Sequence, residues 1–276
     1  MPCHLETRVP QSVSTKIVSS PNLLLGKRYV SAMIVFDIVQ KSILHLLLHT
    51  FLKLFATAML LKAVADHILS KAKQRKGKGD VRIDRISDGS TACGFAWTWI
   101  TADGKEEGLR GTTFVELNEA GEIQYVREIP EPLYKPGDLT LELLKAVTKD
   151  AVSKAPPSYE SKTPRSANEV AKYLFCEVQG GDVDESMRLF SDEIKYRDFN
   201  YDEILSGKAE VRKFIEDFSF PGIEFKPDRF DDGTLSTCFT WDVCLDGQED
   251  SIKGMSFYEL DPKSRLITYV RGMYER

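Results

Sequence analysis

Hydrophobic and polar positions alternate in two separate stretches of the chain, 81–129 and 223–275, and this alternation predicts two β-meanders. In the first meander the large apolar residues Phe95 and Trp97 stand two positions apart, with a small residue between them. A period of two is typical of strands that bury one face. Asp-Gly and Ala-Gly pairs tolerate the backbone angles of tight turns. Hairpin connections are therefore predicted at 87–89, 102–104 and 119–121.

Other parts of the chain carry helical signals. Residues 166–169 read Ser-Ala-Asn-Glu, a capping box that predicts the start of a helix. Helices are also predicted from Asp138, from Asp182 and after Gly207, and a short strand at 194–199. The helix after Gly207 has an apolar face formed by Val211, Phe214, Ile215 and Phe218. The order helix, helix, strand, helix and meander predicts an α+β fold, with helices packed on one face of a curved antiparallel sheet.

The second meander repeats residues of the first at a constant spacing. Arg85, Asp88, Gly89, Phe95 and Trp97 return as Arg229, Asp232, Gly233, Phe239 and Trp241. After one compensated gap, Tyr125, Val126 and Arg127 return as Tyr269, Val270 and Arg271. The predicted helices and strand precede the second meander alone. We therefore predict a partial repeat at 79–153, consisting of a meander and a helix, a linker at 154–165 and a complete domain at 166–276.

A meander without its helices leaves one apolar face bare, so another part of the protein must cover it. The apolar segment 41–66 is one candidate, because it contains no proline or glycine and is predicted to form a long helix. The complete domain is the other candidate. A third alternative is that 1–80 results from an incorrect splice or gene prediction, and that the natural chain carries a complete first domain.

The N-terminal region carries two further signals. Residues 1–28 are basic and contain a single acid, Glu6, which is typical of an organelle transit peptide. A chloroplast location is therefore expected, with the cytoplasm or a membrane-associated state as alternatives. Residues 29–78 are predicted to form an apolar helix and a basic hinge. Within 41–66, four basic or titratable residues share one helical face, so this segment is predicted either to lie on a membrane surface or to cover a sheet: Lys41, His45, His49 and Lys53.

Composition and charge narrow the function classes. The net charge of −5 and the pI near 5.6 argue against a nucleic-acid partner. The five cysteines have neither zinc-site nor disulfide-framework spacing, and all four histidines precede the first meander. A metal site and Ser-His or Cys-His catalysis are therefore not expected in either meander. No cofactor is predicted.

The segment SDEIKYRDFNYDEILSGKAEVRKFIEDF at 191–218, with the element order around it, resembles the nuclear transport factor 2-like superfamily. This superfamily includes the SnoaL-like and ketosteroid-isomerase-like proteins. Gly207, Val211 and Phe214 stand where the family pattern has its helix signature. The resemblance implies a cone, in which a bent sheet wraps a long helix around a pocket at its open end. Repeated SnoaL-like domains behind a transit segment resemble a plant plastid type.

The resemblance also implies candidate catalytic residues. Isomerase-like relatives use an Asp at the end of the first strand as general base, and this position corresponds to Asp198. A Tyr on the first helix donates to the developing oxyanion, and Tyr173 lies one residue from that position. The third group, a protonated acid on a meander strand, corresponds to Met255, which cannot donate in this way. Loss of one oxyanion donor costs about 10²–10³ in rate.

The incomplete catalytic set favours a module that does not catalyse, and that binds a small apolar ligand or a protein partner. The predicted pocket consists of Tyr173, Asp198, Trp241, Met255, Phe257 and Arg271. A protein partner or a homodimer is expected to use the sheet face, or the two meanders mimic such a dimer within one chain. The alternative is an isomerase- or cyclase-like enzyme with Asp198 as general base and Tyr173 as hydrogen-bond donor.

Two recurring residue types have alternative interpretations. Trp97 and Trp241 are predicted to pack in the core, with ligand stacking as the alternative. The recurring arginines Arg127 and Arg271 are expected to pair with a buried acid, Glu116 or Glu259 for example, with contact to an anionic ligand as the alternative.

Overall fold

The computed structural model describes residues 59–60, 62, 79–101, 103–152, 158–245 and 252–274. The predicted transit segment 1–28 lies outside these residues. Of the predicted helix 41–66, only Met59, Leu60 and Lys62 are described.

The first meander forms a four-stranded antiparallel sheet in which each strand pairs with the next along the chain. Its strands are β1 (Gly79–Ile86), β2 (Ala92–Thr101), β3 (Glu106–Leu117) and β4 (Ile123–Pro130). Helix α1 (Asp138–Val147) follows. Gly137, with φ of 56°, precedes α1 at the N-cap, so Asp138 is the first helical residue.

Three helical stretches precede or interrupt the second sheet. They are α2 (Ala167–Lys172), which continues directly as a π-helical segment (Tyr173–Val178), α3 (Val183–Arg188) and α4 (Lys208–Phe218). The predicted start of α2 is confirmed, because the Ser166 side chain accepts a hydrogen bond from the backbone N–H of Glu169 at 3.2 Å. Asp182 caps α3 in the same way, through Glu185.

The second sheet has six strands in the order β6-β5-β10-β9-β8-β7. They are β5 (Phe190–Asp198), β6 (Leu205–Ser206), β7 (Ile223–Phe230), β8 (Ser236–Leu245), β9 (Ile252–Leu260) and β10 (Ile267–Tyr274). Strand β10 runs parallel to β5, and the other pairs are antiparallel. The predicted α+β class with a curved antiparallel sheet is confirmed. The short strand β6 was not predicted.

The helices pack on one face of the six-stranded sheet, which we call its inner face. Alternate residues of β8, including Phe239 and Trp241, join Val170 of α2 and Tyr258 of β9 in one buried core. Phe175 of the π-helical segment lies against Phe239, with ring centroids 4.8 Å apart. The opposite face, which we call the outer face, carries the intervening residues of each strand.

The corresponding inner face of the four-stranded sheet is also buried. Phe95, Trp97 and Val115 pack there with Leu60, which is 2% exposed. This contact is the one that a covering helix at 41–66 requires. In the part of the chain that the structure describes, no helix is long and apolar enough to cross a membrane.

The outer faces of the two sheets pack against each other through reciprocal ion pairs. Arg85 of β1 pairs with Glu259 of β9, and its counterpart Arg229 of β7 pairs with Glu116 of β3. Arg85 and Arg229 correspond in the repeat, as do Glu116 and Glu259. When residue i contacts j and the counterpart of j contacts the counterpart of i, the contact has twofold character. We call this contact the seam.

The recurring arginines on the last strands also make reciprocal contacts across the seam. Arg127 of β4 donates to the carbonyl oxygen of Gly254 at 3.3 Å, and Arg271 of β10 donates to that of Gly111 at 3.2 Å. The expectation that these arginines bond Glu116 or Glu259 is corrected. Those glutamates lie closer to the arginines of β1 and β7, which therefore take them as partners.

Turns at the end of the seam also exchange hydrogen bonds. Asp88, in the turn after β1, accepts from the backbone N–H groups of Thr234 and Ser236, each at 2.9 Å. Its counterpart Asp232 accepts from the backbone N–H of Ser90 at 2.6 Å. These bonds explain why Asp-Gly recurs in both turns, beyond the needs of the turn itself.

The centre of the seam is apolar and closely packed. A Cβ atom added at Gly94 of β2 would lie 2.1 Å from the Cβ of Cys238 on β8, so the two strands meet where one of them has no side chain. Around this point lie Ala92, Phe114, Ile129, Phe199, Met255, Phe257 and Met273. The apolar centre of each outer face is thus buried by the other sheet.

Candidate ligand site

Asp198, the predicted base, ends strand β5 and is buried. Side chains alternate along a strand, so Tyr196 and Asp198 share the inner face and Arg197 takes the outer one. Tyr196 packs with the helix-side core and lies 5.1 Å from the ring centroid of Phe214 on α4. Arg197 bonds Glu131 of the first meander's exit segment at 3.2 Å. Arg197 and Asp198 therefore point to opposite faces of the sheet.

The loop after Asp198 is held on both sides. Asp198 Oδ1 accepts a hydrogen bond from the backbone N–H of Asn200 at 2.8 Å. On the other side, the backbone N–H of Gly137 donates to the carbonyl oxygen of Asn200 at 2.9 Å, and Tyr201 donates its hydroxyl hydrogen to Asp138 at 3.1 Å. Hydrogen bonds with the start of α1 therefore hold the loop that follows Asp198 in place.

Burial raises the pKa of Asp198 to about 6, against the opposing effects of the Asn200 hydrogen bond and the Lys135 charge. Removal from water disfavours the charged form of a carboxyl. A carboxyl with this pKa can hold or release a proton near neutral pH. It can serve as a general base, or as one polar contact in an apolar interior.

Gly272 leaves a space without a side chain beside Asp198. The two residues pair in register across β5 and β10. A Cβ atom added at Gly272 would lie 3.6 Å from both Asp198 Oδ2 and the hydroxyl oxygen of Tyr196. Two polar oxygens thus converge on a point of the inner face that holds only backbone. Tyr196 and Gly272 were not predicted as site residues.

Tyr173, the predicted donor, has a different partner. It is 2% exposed, and its hydroxyl donates to Glu185 of α3 at 2.6 Å. Hydrogen bonds from Arg188 and then Tyr173 lower the pKa of Glu185 to about 2. The Tyr173 hydroxyl hydrogen is therefore committed to Glu185 and is not free for the predicted donation to an oxyanion.

Trp241 lies on the inner face and is 6% exposed. Its indole N–H donates to the hydroxyl of Ser256 at 2.9 Å, and a Cβ atom added at Gly254 would lie 2.2 Å from its ring. Trp97 makes the same bond to Thr113, at 3.1 Å. The predicted core-packing role of both tryptophans agrees with these contacts.

Three of the predicted pocket residues lie on the outer face, so the grouping is corrected. Met255 and Phe257 belong to the apolar centre of the seam, and Arg271 reaches across it to Gly111. The reason is strand register. Trp241 pairs with Gly254, so the positions of β9 beside it on the inner face are even-numbered, and Met255 and Phe257 face away.

This register also places residues other than Met255 on the inner face, where the third catalytic group would act. The inner-face positions beside Trp241 hold Gly254 and Ser256, neither of which is an acid. A sequence signal for the register exists, because Trp97 and Gly111 recur together as Trp241 and Gly254. A bulky ring opposite a glycine in both meanders is the pattern expected of cross-strand partners on one face.

The donor sets of the described residues do not suggest a metal. No group of three or more His, Cys, Asp or Glu side chains in the part of the chain that the structure describes could hold a metal ion.

A family model matches the second part of the chain. The model of the SnoaL-like domain matches residues 170–269. These residues form a SnoaL-like domain. No curated protein matches the chain. Among solved structures, an NTF2-like protein of unknown function from Cytophaga hutchinsonii is 10% identical over 41% of this chain and 94% of its own, with a TM-score of 0.34. An LEH-like epoxide hydrolase from M. tuberculosis is 15% identical over 41% of this chain and 86% of its own, also with a TM-score of 0.34.

Proposed function

We propose that the SnoaL-like domain is a non-catalytic module that binds a small apolar ligand between its helices and the inner face of its sheet. In this proposal the first meander is a reduced SnoaL-like copy that serves as a built-in partner for the outer face. Asp198 and the Tyr196 hydroxyl provide the polar contacts of the site.

One observation carries the non-catalytic part of the proposal. Neither predicted oxyanion donor is available, because the Tyr173 hydroxyl bonds Glu185 and the inner-face neighbours of Trp241 are Gly254 and Ser256, neither of which is an acid. Most inner-face residues that pack against the helices are apolar or aromatic. A mostly apolar site with few convergent polar groups is typical of ligand-binding pockets.

The seam supports the partner role of the first meander. Arg85, Arg229 and the residues of the apolar centre bury the outer face of the six-stranded sheet. A protein partner or a second copy of the chain would have to displace the four-stranded sheet to reach that face. We therefore expect partners, where they bind, to use other surfaces.

Binding of the neutral apolar dye Nile red tests the proposal. Gly272→Leu would place a side chain in the space between Asp198 and Tyr196, while Gly272→Ala adds a single carbon at ordinary contact distance. We expect the wild-type chain and Gly272→Ala to bind the dye with similar affinity. Gly272→Leu should weaken binding by about tenfold, since the added group competes for the same space.

The dye titration is interpreted with circular dichroism and melting curves of all three proteins, so that loss of binding is separated from loss of fold. Equal dye binding by a folded Gly272→Leu variant and the wild-type chain would refute a site at this position.

The second candidate function is an isomerase- or cyclase-like enzyme, and the pKa of about 6 at Asp198 favours it. A general base works best when its pKa lies near the operating pH. This function predicts that Asp198→Asn abolishes turnover without unfolding the chain. It also predicts that Tyr173→Phe retains turnover, because the Tyr173 hydroxyl donates to Glu185 and is not free to donate to a substrate oxyanion. Turnover that survives in Asp198→Asn would exclude Asp198 as the base.

A further inference from the structure

The seam has an unequal charge balance at its two corresponding arginines. At one end the Arg127 guanidinium lies 3.8 Å from both Asp228 and Asp242. At the other end Arg271 is 5% exposed, and no described carboxylate lies within 4.0 Å of it. Its Nε is buried without a hydrogen-bond partner. Buried charges are ordinarily paired, so the Arg271 end is the exception.

A second cation lies beside Arg271. Arg197 pairs with it in register on the neighbouring strand β5, which sets two like charges side by side. Like charges directly opposite each other in a sheet are destabilising. Burial, together with the charge of Arg197, lowers the pKa of Arg271. Arg271 is the more buried of the two arginines, so little solvent screens the repulsion between them.

Among the described residues, Glu131 is the one carboxylate within 4.0 Å of Lys135, Arg197 and Arg110. The Glu131 carboxylate oxygens lie 2.7 Å from the charged nitrogen of Lys135, 3.2 Å from that of Arg197 and 3.3 Å from that of Arg110. Burial alone would raise the pKa of Glu131, but the Lys135 hydrogen bond and the neighbouring arginines outweigh it, and the pKa is lowered. Glu131 therefore stays charged and is shared by three cations before Arg271 is counted.

Three of the cations also lie over the same aromatic ring, that of Phe199. The charged groups of Lys135, Arg197 and Arg271 lie 4.9, 5.5 and 4.7 Å from the ring centroid of Phe199. Arg110 has 36% of its side chain exposed and Arg197 has 16%, so solvent and small ions reach part of the group.

We propose that this group, formed by Arg110, Lys135, Arg197 and Arg271 around Glu131 and Phe199, is a binding site for a small oxyanion of the phosphate or carboxylate class. Guanidinium groups bind such oxyanions through paired, charge-assisted hydrogen bonds. The anion supplies the charged acceptor that Arg271 lacks, in the role that Asp228 and Asp242 fill for Arg127 at the other end of the seam. The site is on the outer face, opposite the inner-face position of Asp198, and does not depend on the proposed apolar ligand.

Calorimetric titration of the full chain with inorganic phosphate and with acetate, at constant ionic strength set by chloride, tests the proposal. The wild-type chain is expected to bind at least one of the two anions, and the preference identifies the class. Arg197→Gln removes one donor group and should weaken binding by about tenfold. Arg127→Gln is the matched control at the balanced end of the seam and should leave the affinity unchanged.

Two further variants keep the test decisive where Arg197→Gln fails to fold. Lys135→Gln should also weaken binding, and Glu131→Gln should tighten it, because Glu131 competes with the anion for the same donors. The proposal is overturned if neither anion binds the wild-type chain above the chloride background. Equal affinity in Arg127→Gln and Arg197→Gln would also overturn it, as would unchanged or weaker binding in Glu131→Gln.

Discussion

Asp198 combines a structural role with a chemical one. Its carboxylate accepts from the Asn200 backbone and so shapes the loop that α1 holds. The same burial that fixes this loop raises its pKa to about 6. A perturbed carboxyl on the inner face of a sheet is a candidate for function, although loop-shaping alone also places an Asp at a strand end.

The raised pKa predicts a pH-dependent stability difference between the wild-type chain and Asp198→Asn. The folded-state pKa of about 6 lies above the ordinary 3.8, so the native state holds the proton more tightly than the unfolded state. Below about pH 4 this preference stabilises the wild-type chain in full. As the pH rises toward 6 the unfolded state loses its proton first, and this stability is lost.

Asn cannot ionise, so the free energy of unfolding of Asp198→Asn does not fall through this titration. We expect Asp198→Asn to gain about 2–3 kcal/mol relative to the wild-type chain between pH 4 and pH 7, measured by urea unfolding at both values. The buried Asp231 also titrates near pH 6, but it is present in both proteins and cancels in the comparison. A pH-independent difference would show that Asp198 is not the titrating group.

At the residue scale, Asp198 is predictable because its strand-end position matches the family pattern. Tyr196 and Gly272 are not, because their importance depends on the parallel pairing of β5 with β10. That pairing joins strands that are distant in the chain, and no local pattern encodes its register.

At the scale of elements, the strands and turns of both meanders follow from the alternation of residues and from the Asp-Gly and Ala-Gly pairs. The predicted helices α1 to α4 are also present. The two faces of β9 depend on its register, because a shift of one residue exchanges them. The prediction that put Met255 and Phe257 in the pocket did not take the recurring Trp–Gly pair into account, and the structure places both residues in the seam.

The pairing of Trp241 with Gly254 predicts a sharp cost for a single added carbon. Gly254→Ala would place its Cβ 2.2 Å from the indole ring, so ring or backbone must move. We expect a loss of about 1–3 kcal/mol in the free energy of unfolding, measured by urea titration. Gly272→Ala, where the nearest atom is 3.6 Å from the new carbon, is the matched control and should lose less than about 0.5 kcal/mol. Equal losses would contradict the close Trp–Gly contact.

At the scale of the whole molecule, the repeat predicted two related sheets and, as one alternative, that they pack together as a dimer does, but it did not predict which residues pair. The reciprocal contacts of Arg85 with Glu259 and of Arg229 with Glu116 lie between residues far apart in the chain. Each acid sits in a strand whose local sequence gives no indication of its partner. The structure assigns these recurring charges to the seam, and it makes the first meander a partner of the SnoaL-like domain.

The most direct test of this arrangement is a charge exchange across the seam. Arg85→Glu and Glu259→Arg should each lower the free energy of unfolding, because each places like charges in contact beside Tyr269. The double variant restores opposite charges and should recover about 0.5–1 kcal/mol beyond the sum of the single effects, measured by urea unfolding at low salt. The same recovery is expected for Arg229→Glu with Glu116→Arg. Strictly additive losses in both pairs would contradict the seam and, with it, the role of the first meander as a built-in partner.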